Sequence, residues 1–231
     1  MTGLPVGPAL PDWTPRPMPR AQVLQGRHCR LEPLSPRHHA RALFDAMAED
    51  RDGAGWTYMG YGPFLNAEAY AAWAARHEGR QDPLFLAILD ANGPSGILAL
   101  HRIVPDHGTL EVGHIRFAPR LQRTTAATEA LALVMRWVFE GLGYRRLEWK
   151  CDTLNAASRR AAERLGFAFE GMFRQHLVVK GRNRDTAWYA MTDADWRARA
   201  PGYALWLAEA ADGPQRRPLS DALAEAASGA P

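Results

Sequence analysis

The chain has 231 residues, a formal net charge of +3 at neutral pH, 47% apolar residues and two cysteines. That length suits one large domain or two small ones, and the apolar fraction is ample for a core; one domain with tails is expected. The charge excess is small and its Arg residues are scattered, which argues against general nucleic-acid binding while admitting an anionic ligand. Cys29 and Cys151 lie far apart without metal-ligand spacing, so the expectation is a reduced, buried pair and no metal.

The N-terminus carries Pro5, Pro8, Pro11, Pro15, Pro17 and Pro19 in place of an apolar signal core, and no stretch approaches the roughly 20 apolar residues of a membrane span. A cytoplasmic protein without a membrane partner follows. Proline fixes φ and removes donors, so residues 1–25 read as an extended arm that Trp13 could pin to the body. His28 to Leu34 is a first strand. Ser35-Pro36 is a helix start, with Ser as N-cap and Pro at the first helical position.

From Gly53 to Phe64 the chain is rich in Gly and aromatics, and such a loop must fold back on the core or line a pocket. A second helix carries Tyr70 and Trp73. Leu84 to Leu89 and Gly96 to Val104 form a hairpin around Asp90 to Gly93, and Pro105 to Gly108 turns into a fourth strand, Glu111 to Phe117. Gln122 to Thr128 is a short loop before a long helix with Leu131, Val134, Met135, Val138, Phe139 and Leu142 at offsets of three and four. Such a helix start offers unpaired N–H groups and a positive dipole end, a place for a phosphate.

Tyr144 to Cys151 is a fifth strand, and Asn155 to Leu165 a helix stopped by Gly166. Phe167 to Val179 and Thr186 to Met191 form a last hairpin, turning at Gly181 to Arg184. After about Trp206 the apolar pattern fades, which predicts a frayed helix and a flexible tail within 197–231. The order of elements predicts an α+β sandwich, with the strands before and after the long helix as parallel neighbours.

Glu111-Val112-Gly113-His114, the loop from Gln122 through Ala130, Asn155-Ala156-Ala157-Ser158, Glu163 to Phe167, Glu170-Gly171 and Arg174 occur in one order. With them the sequence resembles the GNAT superfamily of N-acetyltransferases, in its RimJ/RimL-like branch, over about residues 26–196. The resemblance implies a mixed, mostly antiparallel central sheet with helices on both faces and splayed fourth and fifth strands. It implies acetyl-CoA as co-substrate and an amine acceptor. A homodimer is left open.

On that likeness the pantetheine arm would bond the backbone of Ile115, Arg116 and Phe117. The pyrophosphate would sit on Gln122, Arg123, Thr124, Thr125, Ala126, Ala127 and Thr128. Ser158 would protonate the departing thiolate and Asn155 would position the cofactor amide, although Asn-x-x-Ser is equally a helix cap. Candidate bases are Glu111, His114 and Glu170; alternation puts Glu111 and His114 on opposite strand faces. One departure stands out: Thr125 occupies the position of the family's first loop glycine, so either the loop stays right-handed or binding is weaker.

An α-amine is neutral far more often than a Lys side chain near pH 7.4, an advantage of roughly 3 kcal/mol, which favours an α-amino acceptor on a protein N-terminus or small molecule. The rival reading is a catalytically silent acyl-CoA-binding regulatory module.

Overall fold

A computed structural model describes residues 3–210 and 217–228. Eight strands form one sheet in the order β1-β2-β3-β4-β5-β6-β8-β7. They are β1 (Leu24–Gln25), β2 (Arg30–Pro33), β3 (Leu84–Asp90), β4 (Gly93–Val104), β5 (Thr109–Phe117), β6 (Arg146–Asp152), β7 (Ala168–Val179) and β8 (Arg182–Thr192). All neighbours are antiparallel except β5 and β6. That parallel pair spans only Thr109–Glu111 against Arg146–Glu148, after which the two strands part. The predicted α+β architecture and its splay are therefore present, the splayed pair being β5 and β6 because the two-residue β1 precedes the predicted first strand.

The helices α1 (Pro36–Met47) and α2 (Ala67–Ala75) cover one face. The opposite face carries α3 (Thr125–Arg136), α4 (Ala156–Arg164), α5 (Asp193–Glu209) and α6 (Leu219–Ser228). Strand β3 shows why its sequence reads as an unbroken apolar run. Leu84, Leu86 and Ile88 join the core under α3, while Phe85, Ala87 and Leu89 join the core under α1 and α2. Burial on both faces removes the polar alternation of a half-exposed strand.

Local chemistry explains several boundaries. Ser35 sits at the predicted N-cap of α1 but makes no side-chain cap; His39 Nδ1 instead accepts from Ser35 N–H at 3.1 Å. The α3 helix runs on through a π-type turn at Trp137–Gly141, extending the apolar stripe as its periodicity predicts. Glu129 in α3 is 5% exposed and accepts from the N–H groups of Arg27, His28 and Cys29 at 2.6 to 2.9 Å, fixing the β1–β2 turn to the helix. Cys29 and Cys151 are both free and buried, as expected.

The Pro-rich arm is held where Trp13 Nε1 donates to the Asp106 carbonyl at 2.9 Å and the ring lies 4.4 and 5.7 Å from the guanidinium groups of Arg16 and Arg145. Gly108 makes room, since a Cβ there would meet Trp13 at 2.5 Å.

The chain end departs from expectation. Residues 219–228 form α6, and Leu219, Ala222 and Leu223 are buried against α5, so this part is a packed helix and not a patternless tail. Residues 211–216 lie outside the described residues. The apolar residues of α6 are few, and close backbone approach makes them sufficient: a Cβ on Gly202 would lie 2.5 Å from the Ala222 carbonyl oxygen. Backbone cannot yield there, so Gly202→Ala should cost about 1–3 kcal/mol in urea unfolding. An unchanged midpoint would contradict the packing.

Candidate functional site

Where β5 and β6 part, a cavity of about 310 Å³ opens between them. The free edge of β5 from Val112 onward forms one wall, and Trp149, Lys150 and Cys151 of β6 form the other. Asn155 and Ser158 close one end, and Gly55, Tyr58, Met59 and Gly60 of the aromatic loop reach in from above.

The aromatic loop does both things its sequence allows. Trp56, Tyr61 and Phe64 pack with Tyr70, Trp73 and Phe85 in the core under α1 and α2. The Tyr58 hydroxyl meanwhile spans the cleft to donate to the Leu154 carbonyl at 3.0 Å. Lys180, at the tip of the β7–β8 hairpin, donates to the carbonyls of Trp56 and Gly62 at 2.9 and 2.7 Å, strapping hairpin to loop. The turn is Lys180-Gly181 alone. Arg184, placed in the turn by sequence, instead belongs to β8 and lines the cavity, because β8 starts at Arg182.

Two bulges aim the polar residues. His114 takes φ +53° where β5 carries an extra residue against β4, and Arg102 takes φ +50° at the second register shift. Alternation from Glu111 would put His114 on the far face; the bulge returns it, so Glu111 and His114 line one cavity. That corrects the expectation of opposite faces. Non-Gly residues in this region cost about 1–2 kcal/mol each, and Asp82 supports the second bulge by accepting from the N–H groups of Arg102 and Ile103 at 3.1 Å.

Glu111 is the electrostatic centre. Its Oε1 lies 3.1 Å from His101 Nε2, and its Oε2 lies 2.9 Å from both Arg102 and Lys150. Lys150 also binds Glu148 at 2.6 Å and sits 3.7 Å over the Trp188 ring. Burial works to raise the Glu111 pKa, but the hydrogen bond and charge of His101 and the Lys150 ammonium outweigh it and hold it at about 2. His114 goes the other way for a base: burial, then the neighbouring His101, lowers it to about 4. Its ring stacks on Tyr61 at 5.7 Å, with Nδ1 3.3 Å from the Tyr61 hydroxyl. Glu170, a candidate base by sequence, lies outside the cavity and pairs with Arg146.

Asn155 Oδ1 accepts from Ser158 N–H at 3.1 Å, which is the helix cap the sequence allowed. The Ser158 hydroxyl accepts from Trp149 Nε1–H at 3.0 Å and also interacts with the Cys151 thiol, and both residues line the cavity.

At the α3 start, Thr124 is the N-cap, its Oγ1 accepting from Ala127 N–H at 3.1 Å and donating to the Leu121 carbonyl at 2.7 Å. The left-handed residue of the loop is Arg123 at φ +62°, while Thr125 begins the helix in the right-handed region. The missing glycine therefore imposes no backbone strain. Among the described residues, the N–H groups of Arg123, Thr125 and Ala126 have no acceptor, whereas those of Gln122, Thr124, Ala127 and Thr128 are engaged. Three of the seven expected loop donors are thus free for an anion.

The Arg116 guanidinium turns away from the cleft to Asp50 at 2.6 Å and lies against Trp56, in space that only Gly55 leaves open. The Phe117 carbonyl is already taken by Gln122 at 3.2 Å and by Arg116. The sequence missed His101, Arg102 and Lys150, none of which a local motif marks.

The free edge of β5 and Ser158 line one cavity, and the α3 N-terminus with its open N–H groups follows β5 in the chain. The acetyltransferase (GNAT) domain model matches residues 28–168. The chain belongs to the GNAT family. The crystal structure of a GCN5-related N-acetyltransferase from Brucella melitensis superposes with TM-score 0.89 at 44% identity, covering 93% of this chain and all of that one. An uncharacterized N-acetyltransferase of Bacillus subtilis, YoaA, is 30% identical over 96 residues, 42% of this chain and 54% of that relative, so the match spans about half the relative's length. RimL, a ribosomal L7/L12 alpha-N-protein acetyltransferase solved in complex with coenzyme A, shares the fold at TM-score 0.63 and 19% identity, over 74% of this chain and 98% of that one. No helix among the described residues is long and apolar enough to cross a membrane.

The lowered pKa values give a stability dependence of definite sign. Between 6.5 and about 4 for His114, and between 4.5 and about 2 for Glu111, the unfolded chain binds protons that the folded protein does not. Stability is therefore present at neutral pH and lost as pH falls through these windows. Urea unfolding at a series of pH values should show the loss, and His114→Gln should flatten the upper window. Stability that rises on acidification there would contradict the assignment.

Proposed function

We propose that the protein transfers an acetyl group from acetyl-CoA directly to a primary amine, an α-amino group of a protein or peptide N-terminus or of a small amino compound. The observation that carries this reading is the cavity at the splay, lined by the free β5 edge and by Ser158, with the open N–H groups of the α3 start following β5 in the chain. In this reading the edge from Val112 through Phe117 receives the pantetheine as an added strand, with Arg116 contributing backbone only. The N–H groups of Arg123, Thr125 and Ala126, with the Arg123 guanidinium, take the pyrophosphate.

Ser158 then supplies the proton for the leaving thiolate, its hydroxyl oriented by the Trp149 indole. Asn155 keeps the cap and turns its amide nitrogen to the co-substrate. The motif pattern favours the RimJ/RimL-like branch and a cytoplasmic setting, and the shared fold of RimL is consistent with that. The silent-module alternative rests on Thr125 and on an uncertain base, and the right-handed backbone of Thr125 weakens the first of these.

Acetyl-CoA consumption with a panel of amines and peptides tests the reading, and binding without turnover on every acceptor would favour the silent module. Ser158→Ala should lower kcat by about 10²-fold with acetyl-CoA affinity nearly intact. Loss of affinity alone would remove Ser158 from the acid role. Arg123→Glu should weaken acetyl-CoA binding, and the deficit should shrink at high salt. Unchanged affinity would sink the loop assignment.

A further inference from the structure

An amine that attacks a thioester must lose a proton, and none of the three residues singled out by sequence is suited to take it. Glu111 is bonded to Arg102 and Lys150 and lies 3.1 Å from His101 Nε2, and a carboxylate held at about 2 by its partners is a poor acceptor for an ammonium proton. His114 is stacked on Tyr61, packed on Phe85 and held near 4 by burial and His101. Glu170 is outside the cavity. Of the other cavity groups, Cys151 has its thiol pushed up by burial, and His176 is tied through Nδ1 to Thr186 Oγ1 at 3.0 Å and is lowered by burial and by the charge of Arg102.

One imidazole is differently placed. His101 of β4 lines the cavity, and its Nε2 is wholly shielded from solvent with Glu111 Oε1 as its near polar neighbour at 3.1 Å, somewhat off-line for an ideal hydrogen bond. Only 14% of the side chain is exposed, and that exposure belongs to atoms other than Nε2. The room for the ring is made by Gly113: a Cβ there would collide with His101 Nε2 and lie 3.4 Å from Glu111 Oε1. The glycine of Glu111-Val112-Gly113-His114 thus serves the ring across the ladder, where His101 pairs with Glu111.

We propose that His101 is the general base of the acetyl transfer, with Glu111 as its positioning residue. Glu111 holds the proton on Nε2, which leaves the Nδ1 lone pair to accept. As the amine nitrogen bonds to the thioester carbon, its proton passes to His101 Nδ1. The C–S bond breaks with its electron pair on sulfur, and the sulfur takes the Ser158 proton. Release of the imidazolium proton to solvent and reprotonation of Ser158 restore the protein. The titratable and charged groups facing the ring are Glu111 and the neutral His114 of β5, Arg102 of its own strand and Lys150 of β6, with His176 and Arg184 farther along the cavity. The carboxylate stabilises the imidazolium that forms, and the two cations keep that carboxylate ionised.

This inference rests on the acetyl-transfer reading, and the two can fail separately. Absence of wild-type turnover on the whole acceptor panel sinks both. With an active wild type, His101→Gln should lower kcat by about 10²-fold or more while acetyl-CoA affinity by calorimetry stays within about threefold. A fall smaller than tenfold overturns the base role alone. Independently of turnover, NMR of the histidine ring nitrogens in the unloaded protein should show His101 carrying its proton on Nε2, and that tautomer preference should be lost in Glu111→Gln and in Gly113→Ala. A tautomer preference that neither substitution changes overturns the dyad. The Glu111→Gln comparison needs no His101 variant, so it stands even if His101→Gln fails to fold.

Discussion

The Glu111–Lys150 ion pair holds the sheet at the point where it opens. Strands β5 and β6 share only three paired positions, and the last of them joins Glu111 to Glu148. Lys150, 4% exposed in its side chain, reaches both carboxylates from the first stretch of β6 that no longer pairs with β5. A buried ion pair adds little net stability relative to apolar packing, but removing one partner strands a charge at a cost of about 3–5 kcal/mol. The pair therefore fixes where the strands stop touching more than it stabilises their contact.

Everything that gives the site its shape follows from that opening. The unpaired β5 edge would be a liability in an ordinary sheet, because free N–H and C=O groups invite another strand. Here the edge faces an internal cleft covered from above by the aromatic loop and from the side by the β7–β8 hairpin. Arg116 fixes the first cover through Asp50 and Trp56, and Lys180 ties the second to the first. Both straps begin on sheet strands or their turns, so the covers are registered to the same sheet that carries Glu111 and Ser158.

The bulges at Arg102 and His114 show what strain is used for in this fold. A regular ladder would send neighbouring side chains to opposite faces. The two left-handed residues cancel that alternation locally and bring His101, Arg102, Glu111 and His114 to one place. Aromatic packing on His114 and the Asp82 carboxylate under Arg102 offset the backbone cost. Crowding cations around one carboxylate keeps it ionised despite burial, while crowding rings around His114 keeps that imidazole neutral.

The sequence alone determined the order of elements, the parallel pair, the helix start before α3 and the family, because those depend on periodicity, caps and turns that act over a few residues. The helix starts at Gln122 to Thr128 and at Asn155 were legible for the same reason, since each is a local capping motif. The face of His114, the position of Glu170 outside the cavity, the free donors in the loop and the entry of His101, Arg102, Lys150 and Arg184 were decided only by tertiary structure. Bulges change which face a residue occupies without changing its neighbours in sequence. No local motif marks a charge such as Lys150, whose place is decided by the partner strand and Trp188. The α6 helix was missed on the same ground, its short apolar stripe becoming sufficient only when Gly202 lets the two backbones meet.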